Sequence, residues 1–200
     1  MQINFSELLK FISQNIDAFS SNLIPLWHPL GFVSCVIEDI PSNNTIRLHY
    51  WPKRIRRVKN PDWPIHTHSY TLNSLILKGK VRDLQYRTVS GIGKWIYLVN
   101  YFEGGSEIIR TKDEIQVIIE SDEIRCCGEQ YQVPRGTFHQ TQVPINESAI
   151  TIVILSNYSE EPPKVLGDCK LSKKYPYDRI PFDQIHFWNE VREALNHHLS

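Results

Sequence analysis

Residues 128–139 read Gly128-Glu129-Gln130-Tyr131-Gln132-Val133-Pro134-Arg135-Gly136-Thr137-Phe138-His139. In this stretch a strand ends at a Pro-x-Gly turn, and the next strand opens with a histidine. Upstream, Pro64-Ile65-His66-Thr67-His68 places two histidines two residues apart, a spacing that puts both side chains on one face of a strand. Because the Pro-x-Gly turn reverses the chain tightly, His139 could face back into the cavity that His66 and His68 enter. The two stretches predict one site with three imidazoles.

The segment around these histidines has the pattern of short strands separated by turn residues. Turn signals stand at Asn43-Asn44, Lys78-Gly79, Gly91-Ile92-Gly93 and Gly104-Gly105. About eleven short strands at this spacing are typical of an antiparallel barrel or double sheet. The predicted strands are 32–39, 45–51, 64–68, 71–78, 81–89, 95–102, 114–120, 123–127, 130–133, 138–142 and 149–156.

The two ends of the chain have helical periodicity instead. Apolar residues recur at steps of three and four over about 5–19 and about 183–198, which predicts two helices packed on the outside of the strands. The stretch Glu160-Glu161-Pro162-Pro163 is interpreted as a stiff exit from the barrel toward the second helix. We therefore expect a single domain over 1–200, with a barrel core at about 31–156.

Composition excludes several classes of protein. The 200 residues carry 22 basic and 22 acidic side chains, so the net charge is zero, which disfavours a nucleic-acid or anionic-membrane binder. No apolar run approaches the roughly 20 residues that span a bilayer, and the N-terminus lacks the form of a signal peptide. The prediction is a cytoplasmic protein with buried or free thiols at its four cysteines, Cys35, Cys126, Cys127 and Cys169.

Both histidine stretches resemble the paired motifs of the cupin superfamily. The usual first motif, Gly-x5-His-x-His-x3,4-Glu-x6-Gly, is matched at His66, His68 and Gly79, with Asn60 at the first glycine position and Leu72 at the glutamate position. The usual second motif, Gly-x5-Pro-x-Gly-x2-His-x3-Asn, is matched at Gly128, Pro134, Gly136 and His139, with Val143 in place of the asparagine. The resemblance implies an all-β cupin fold, a jelly-roll-like double-stranded β-helix, here flanked by the two helices.

With Leu72 at the glutamate position, the resemblance implies a metal site of His66, His68 and His139 alone. Such a set is similar to that of the cysteine dioxygenase branch of the superfamily. That likeness implies one divalent ion, Fe(II) by preference with Zn, Ni or Mn as alternatives, and an oxidoreductase that combines a small molecule with O₂. Three neutral imidazoles leave the ion its full +2 charge, which favours an anionic substrate such as a thiol carboxylate.

Other features of that branch are missing from this sequence. Its cysteine after the second histidine corresponds to Asn73, and its Ser-x-His-x-Tyr set would fall on Thr151, Val153 and Leu155. Cysteine itself is therefore disfavoured as the substrate. A metal-dependent isomerase or lyase, and a small-molecule-binding cupin without catalysis, remain alternative functions.

Strand parity suggests which other side chains face the interior. Counting from His68 puts Tyr70, Leu72 and Ser74 inward, and counting from His139 adds Thr141, so Tyr70, Ser74 and Thr141 are candidate substrate-binding residues. The basic run 53–59 is interpreted as a solvated loop, with a lid that attracts an anionic substrate as the functional alternative. His28 and His49 are predicted to be structural. Cupin-like barrels often dimerise, so a homodimer is a further expectation.

Overall fold

A helix lies at each end of the chain, as the apolar periodicity predicts. In the computed structural model, which describes residues 4–40, 44–103, 105–168 and 174–199, α1 spans Phe5–Asn22 and α2 spans Gln184–Leu199. Both begin at an N-cap: the Asn4 side chain accepts a hydrogen bond from the Ser6 amide at 2.9 Å, and the Asp183 carboxylate accepts one from the His186 amide at 2.9 Å. Helix formation at both ends is confirmed.

Fourteen strands occupy the described residues between the helices. The two longest, β7 and β8, form a hairpin along most of their length. In chain order the strands are β1 (Leu26–Trp27), β2 (Leu30–Gly31), β3 (Val33–Ile40), β4 (Asn44–Trp51), β5 (Arg57–Val58), β6 (Thr71–Lys78), β7 (Lys80–Phe102), β8 (Gly105–Cys126), β9 (Gln130–Val133), β10 (Phe138–Gln142), β11 (Ala149–Ser156), β12 (Lys164–Gly167), β13 (Lys174–Asp178) and β14 (Ile180–Pro181).

The strands form two main antiparallel sheets. The seven-stranded sheet has the order β14-β1-β3-β4-β11-β6-β9, and the five-stranded sheet has the order β10-β7-β8-β13 with β12 also paired to β7. A small pair, β2 and β5, lies apart from both. This double-sheet architecture with terminal helices confirms the all-β class and agrees with the cupin fold that the motifs imply.

Side-chain alternation divides the seven-stranded sheet into an outer and an inner face. On β11 the residues Ile150, Ile152 and Ile154 join the core formed with the two helices. Val153 and Leu155 of the same strand join a separate cluster with Leu72, on the inner face. A strand buried on both faces needs no polar alternation, which explains the continuous apolar run of β11. The helices therefore cover the outer face and leave the inner face to the site.

The strand prediction is wrong in several details, the first being that the predicted strands 114–120 and 123–127 are parts of one long strand, β8. Residues 64–68 are not a regular strand: His66 forms isolated bridges to His139 and Val165, and Pro64 has no amide hydrogen to extend a ladder. The expected turn at Gly91-Ile92-Gly93 is also missing, because β7 continues through it with a shift in its register to β8 between Val89 and Lys94. The glycines that predicted a turn lie instead at an irregularity within a continuous strand.

The chain after the barrel also differs from expectation. The stretch Glu160–Pro163 leads directly into β12, and β13 and β14 follow before α2, so it is not an exit toward the helix. Asn43 and Gly104, each half of a predicted turn, and Cys169 lie outside the described residues. The other three cysteines are free. Within the described ranges, no helix has the length and apolar character needed to cross a membrane.

Candidate metal centre

The structure brings the three predicted histidines together. His139 lies on β10, and its amide donates a hydrogen bond of 2.9 Å to the His66 carbonyl while the His66 amide donates one of 3.1 Å to the His139 carbonyl. Two further bonds tie the same segment to β12, from the Thr67 amide to the Lys164 carbonyl and from the Leu166 amide to the Ile65 carbonyl. The segment 65–67 is thus held between two strands, and one ligand atom from each histidine lies within 4.8 Å of the others.

Hydrogen bonding assigns a tautomer to one of the three rings. The Nδ1 atom of His66 lies 2.8 Å from the Pro64 carbonyl oxygen. A carbonyl only accepts, so Nδ1 carries the proton and Nε2 keeps a free lone pair. The Nε2 atoms of His68 and His139 face each other at 2.9 Å. A backbone carbonyl that fixes the tautomer of a histidine is a common support for a metal ligand.

Burial keeps the three rings neutral. It lowers the pKa of His66, and it lowers the pKa of His68 and His139 well below the usual value. The positive charge that a neighbouring imidazole would carry lowers the pKa of His68 and His139 further. A histidine must be deprotonated at the coordinating nitrogen to bind a metal, so the site is ready for an ion at neutral pH.

The three imidazoles fit a divalent ion that prefers nitrogen ligands. Three neutral donors converge, His139 from a buried position and His66 and His68 from half-buried ones. Leu72, at the position of the usual cupin glutamate, is 5% exposed beside Val133, Val153 and Leu155. The structure could therefore hold Fe(II), Zn, Ni or Mn on three nitrogens, and the donor set does not choose among them.

The histidines lie where an outer and an inner cavity meet, and His68 also lines a third cavity, of about 280 Å³, together with Glu161. The outer cavity has a volume of about 520 Å³ and the inner one about 80 Å³, and His66 and His68 line both. His139 and Leu72 line the inner cavity. Among the described residues, no aspartate or glutamate lines either cavity. An ion held here would be accessible to a small molecule in the outer cavity.

Two arginines that sequence reasoning did not select line the outer cavity. They are Arg47 on β4, which also lines the inner cavity, and Arg179 between β13 and β14. Arg47 shares the inner-facing parity of His49 and Trp51 on the same strand, a signal that alternation alone could have shown. Arg179 is 40 residues beyond His139, and no local pattern indicates its position.

The candidate substrate-binding residues have different positions. Tyr70 lines both cavities and stacks on the His68 ring, with centroids 4.7 Å apart and an interplanar angle of 14°. Thr141 lines the inner cavity. Ser74 is fully buried and lines neither cavity; it lies beside Tyr131, which lines the inner one. Tyr70 and Thr141 therefore line a cavity that the three histidines also line, while Ser74 lies behind Tyr131 and lines neither cavity.

The basic run 53–59 does not line either cavity. Lys53, Arg54 and Arg57 are exposed, and Arg56 donates hydrogen bonds to the carbonyls of Pro144 and Glu147. These positions agree with a solvated loop. The positive charge that lines the cavity comes from the two arginines instead.

His28 and His49 pack among aromatic rings; both line the inner cavity, and His28 also lines the outer one. The His28 ring stacks on Phe32 with centroids 4.3 Å apart, and Phe32 also contacts His49 at 4.8 Å. Burial lowers the pKa of His28 well below the usual value and that of His49 to about 3. Both are neutral packing residues, in agreement with a structural role.

Comparison with known proteins finds a loose likeness in structure. Neither a family model nor a characterised protein matches the sequence. A cupin-2 domain protein of Rhodospirillum rubrum superposes with a TM-score of 0.38 and 11% identity over 69% of this chain and 66% of that one. Procruciferin, an 11S globulin of Brassica napus, gives a TM-score of 0.38 and 11% identity over 78% and 35%. The chain spans just under two thirds of the first protein and about a third of the second.

Proposed function

We propose that the protein is a metal-dependent dioxygenase that binds one divalent ion, preferably Fe(II), and combines a small anionic substrate with O₂. The supporting observation is the set of three neutral imidazoles at the junction of the outer and inner cavities, neither of which is lined by a described acidic residue. A carboxylate ligand would lower the charge of the ion to +1. Without one, the full +2 charge favours an anionic molecule and leaves ligand positions open.

The side chains around the site would hold the histidine rings in position for an ion and limit the access of water to it. The bond from His66 Nδ1 to the Pro64 carbonyl fixes one ring, and stacking on Tyr70 restricts another. Trp63 and Val165 add apolar walls to the outer cavity. When bound, the ion would supply a template that brings substrate and O₂ together and stabilises negative charge. Electrostatic stabilisation of this kind is stronger in a site from which water is excluded.

The first test is the metal content of protein purified without chelator or affinity-tag nickel. We expect about one divalent ion for each chain, because three converging neutral imidazoles bind such ions well. The iron-loaded protein is then assayed in an oxygen electrode with thiol carboxylates, β-diketone enolates and neutral sugars, at low and high ionic strength.

The anions should accelerate oxygen uptake, more at low ionic strength, and the sugars should not. The His139→Ala variant, which lacks one ligand, is the control for oxygen uptake by free iron. Uptake that no anion changes, together with tight binding or turnover of a neutral sugar, would contradict the proposal. An isomerase or a binding protein without catalysis would then explain the site better.

A further inference from the structure

Arg47 and Arg179 bring two positive charges to the outer cavity, where no described side chain is acidic. In the described parts of the chain, neither guanidinium forms a hydrogen bond or an ion pair, and the cavity that both line contains no described acidic side chain. The Nε atom of Arg47 is buried and has no hydrogen-bond partner. Both arginines are half-buried, and a cation that loses water without gaining a partner is costly.

Their electrostatic surroundings agree with this geometry. Burial lowers the pKa of Arg179, the nearby charge of Arg47 lowers it further, and the neighbours that raise it are the tyrosines Tyr101 and Tyr70. Tyrosine hydroxyls are neutral at physiological pH, so they leave both positive charges unbalanced.

Several arginines elsewhere in the protein do have partners. Arg82 forms a pair of hydrogen bonds of 2.6 Å to Asp122, and Arg192 lies 2.7 Å from the Asp17 carboxylate. Arg110 lies over the Trp95 ring at 5.1 Å. Within the described residues, Arg47 and Arg179 have neither kind of partner, and both lie where a ligand in the outer cavity can reach them.

We propose that Arg47 and Arg179 form an anion-binding site for a doubly charged oxyanion group, a phosphate monoester or a phosphonate, carried by the substrate. The proposal defines the substrate class of the dioxygenase proposed above and to that extent rests on it. The metal-binding end of the same molecule would reach the histidines, since His66 and His68 line the cavity that holds both arginines.

Charge balance favours a dianion over a single carboxylate. Two guanidinium groups carry a charge of +2, and one carboxylate would leave half of it uncompensated in a partly buried cavity. A phosphate or phosphonate group also offers three terminal oxygens, which can accept hydrogen bonds from two planar donor groups held on different segments of the chain.

The proposal is tested by calorimetric titration of the full chain after removal of metal by a chelator. The probes are inorganic phosphate, methylphosphonate, malonate and acetate. We expect phosphate and methylphosphonate to bind at one site, malonate more weakly, and acetate weakest. Arg179→Gln and Arg47→Gln should each weaken phosphate binding by about tenfold or more, the loss expected for a charge-assisted hydrogen bond.

Arg57→Gln is the matched control, because Arg57 is an exposed arginine on β5 that lines neither cavity. It should bind phosphate as the wild type does. Equal phosphate affinity in the wild type and in a folded Arg179→Gln variant would overturn the proposal, as would acetate or malonate binding as tightly as phosphate. If Arg47→Gln does not fold, Arg179→Gln alone decides.

His139→Ala separates this inference from the dioxygenase proposal. Its phosphate binding should be unchanged even though its metal binding is lost, because His139 does not line the outer cavity. A wild-type protein that binds phosphate but neither metal nor O₂ would overturn the proposed function and leave the anion site intact. A wild-type protein that binds metal but no phosphate would overturn the anion site and leave the proposed function intact.

Discussion

His139 is the predicted ligand that would join the two halves of the proposed metal centre, since it lies on β10 while the other histidines lie on an irregular segment. His139→Ala should reduce the bound metal severalfold and leave the fold intact, because the ring borders a cavity and the apolar clusters are built from other residues. Elemental analysis measures the metal, and thermal unfolding checks the fold. His197→Ala, at an exposed histidine on α2, is the control. Full metal occupancy in His139→Ala would refute the assignment of this ligand.

Leu72 occupies the position of the usual cupin glutamate and lines the inner cavity together with the three histidines. Leu72→Glu should tighten metal binding, because a carboxylate there would add an oxygen donor and a negative charge. It should also lower the free energy of unfolding by about 1–3 kcal/mol, the cost of burying a polar group among apolar side chains. Metal loss in a competing chelator is the measurement, with Leu72→Gln as the uncharged control. Unchanged chelator resistance in a folded variant would show that residue 72 does not reach the metal.

Buried histidines make the fold sensitive to acid. The pKa of His49 is about 3 in the folded protein against 6.5 when the ring is free, so between these values the unfolded chain binds a proton that the folded chain does not. Stability that is fully present above pH 6.5 is therefore lost as the pH falls toward 3, by up to about 1.4 kcal/mol per pH unit for this group. His49→Phe should reduce the change in the free energy of unfolding per pH unit. Urea unfolding at several pH values measures it, and an unchanged slope would exclude His49 as a contributor.

Local sequence predicts the metal ligands better than it predicts the anion site. The His-x-His and Pro-x-Gly patterns are short and fix their residues by local geometry, so three ligands can be selected from spacing and turn chemistry alone. Arg47 required knowledge that the inner face of β4 borders a cavity. Arg179 required the path of the chain through β13 and β14, which no periodicity describes because these strands are short and follow a connection of their own.

At the scale of an element, α2 stabilises the outer face of the large sheet. Phe187 is fully buried and contacts Tyr50 with ring centroids 6.1 Å apart. Phe187→Ala should lower the free energy of unfolding by about 3–5 kcal/mol, the usual cost of removing a buried aromatic ring. Ile185→Ala in the same helix is the control, because Ile185 is 76% exposed and should change it by less than about 0.5 kcal/mol. Similar effects of the two variants in denaturant unfolding would contradict this packing.

Two segments show why the element boundaries were harder to predict than the site. Residues 65–67 contain the alternation of a strand, yet they form single bridges to two different neighbours. In β7, Gly91 has a φ of +146°, a conformation that glycine adopts readily, and the strand continues past it because β8 remains paired on both sides. Glycine allows the unusual backbone conformation at this point. Whether the chain turns there depends on the pairing of β7 with β8.

Across the whole molecule, the number of neighbouring strands should determine local stability. β11 lies between β4 and β6, whereas residues 90–93 of β7 pair with no strand in the described registers. Amides at 90–93 should therefore exchange hydrogen at least about a hundredfold faster than those of Ile152 and Ile154, because they open without disturbing a core. Native-state hydrogen exchange followed by mass spectrometry measures the difference. Equal protection of the two segments would contradict it.

The outer cavity combines two fixed points, the paired arginines and the histidines, on a frame of antiparallel sheets. If the charged group of a substrate binds to the arginines and its reacting group lies at the histidines, the distance between these two sites determines which substrates fit. Homologous compounds with the same end groups would then differ in reactivity according to chain length, and the bond that reacts would be defined by its distance from the anionic end. Selectivity of this kind requires no side chain that recognises the middle of the molecule.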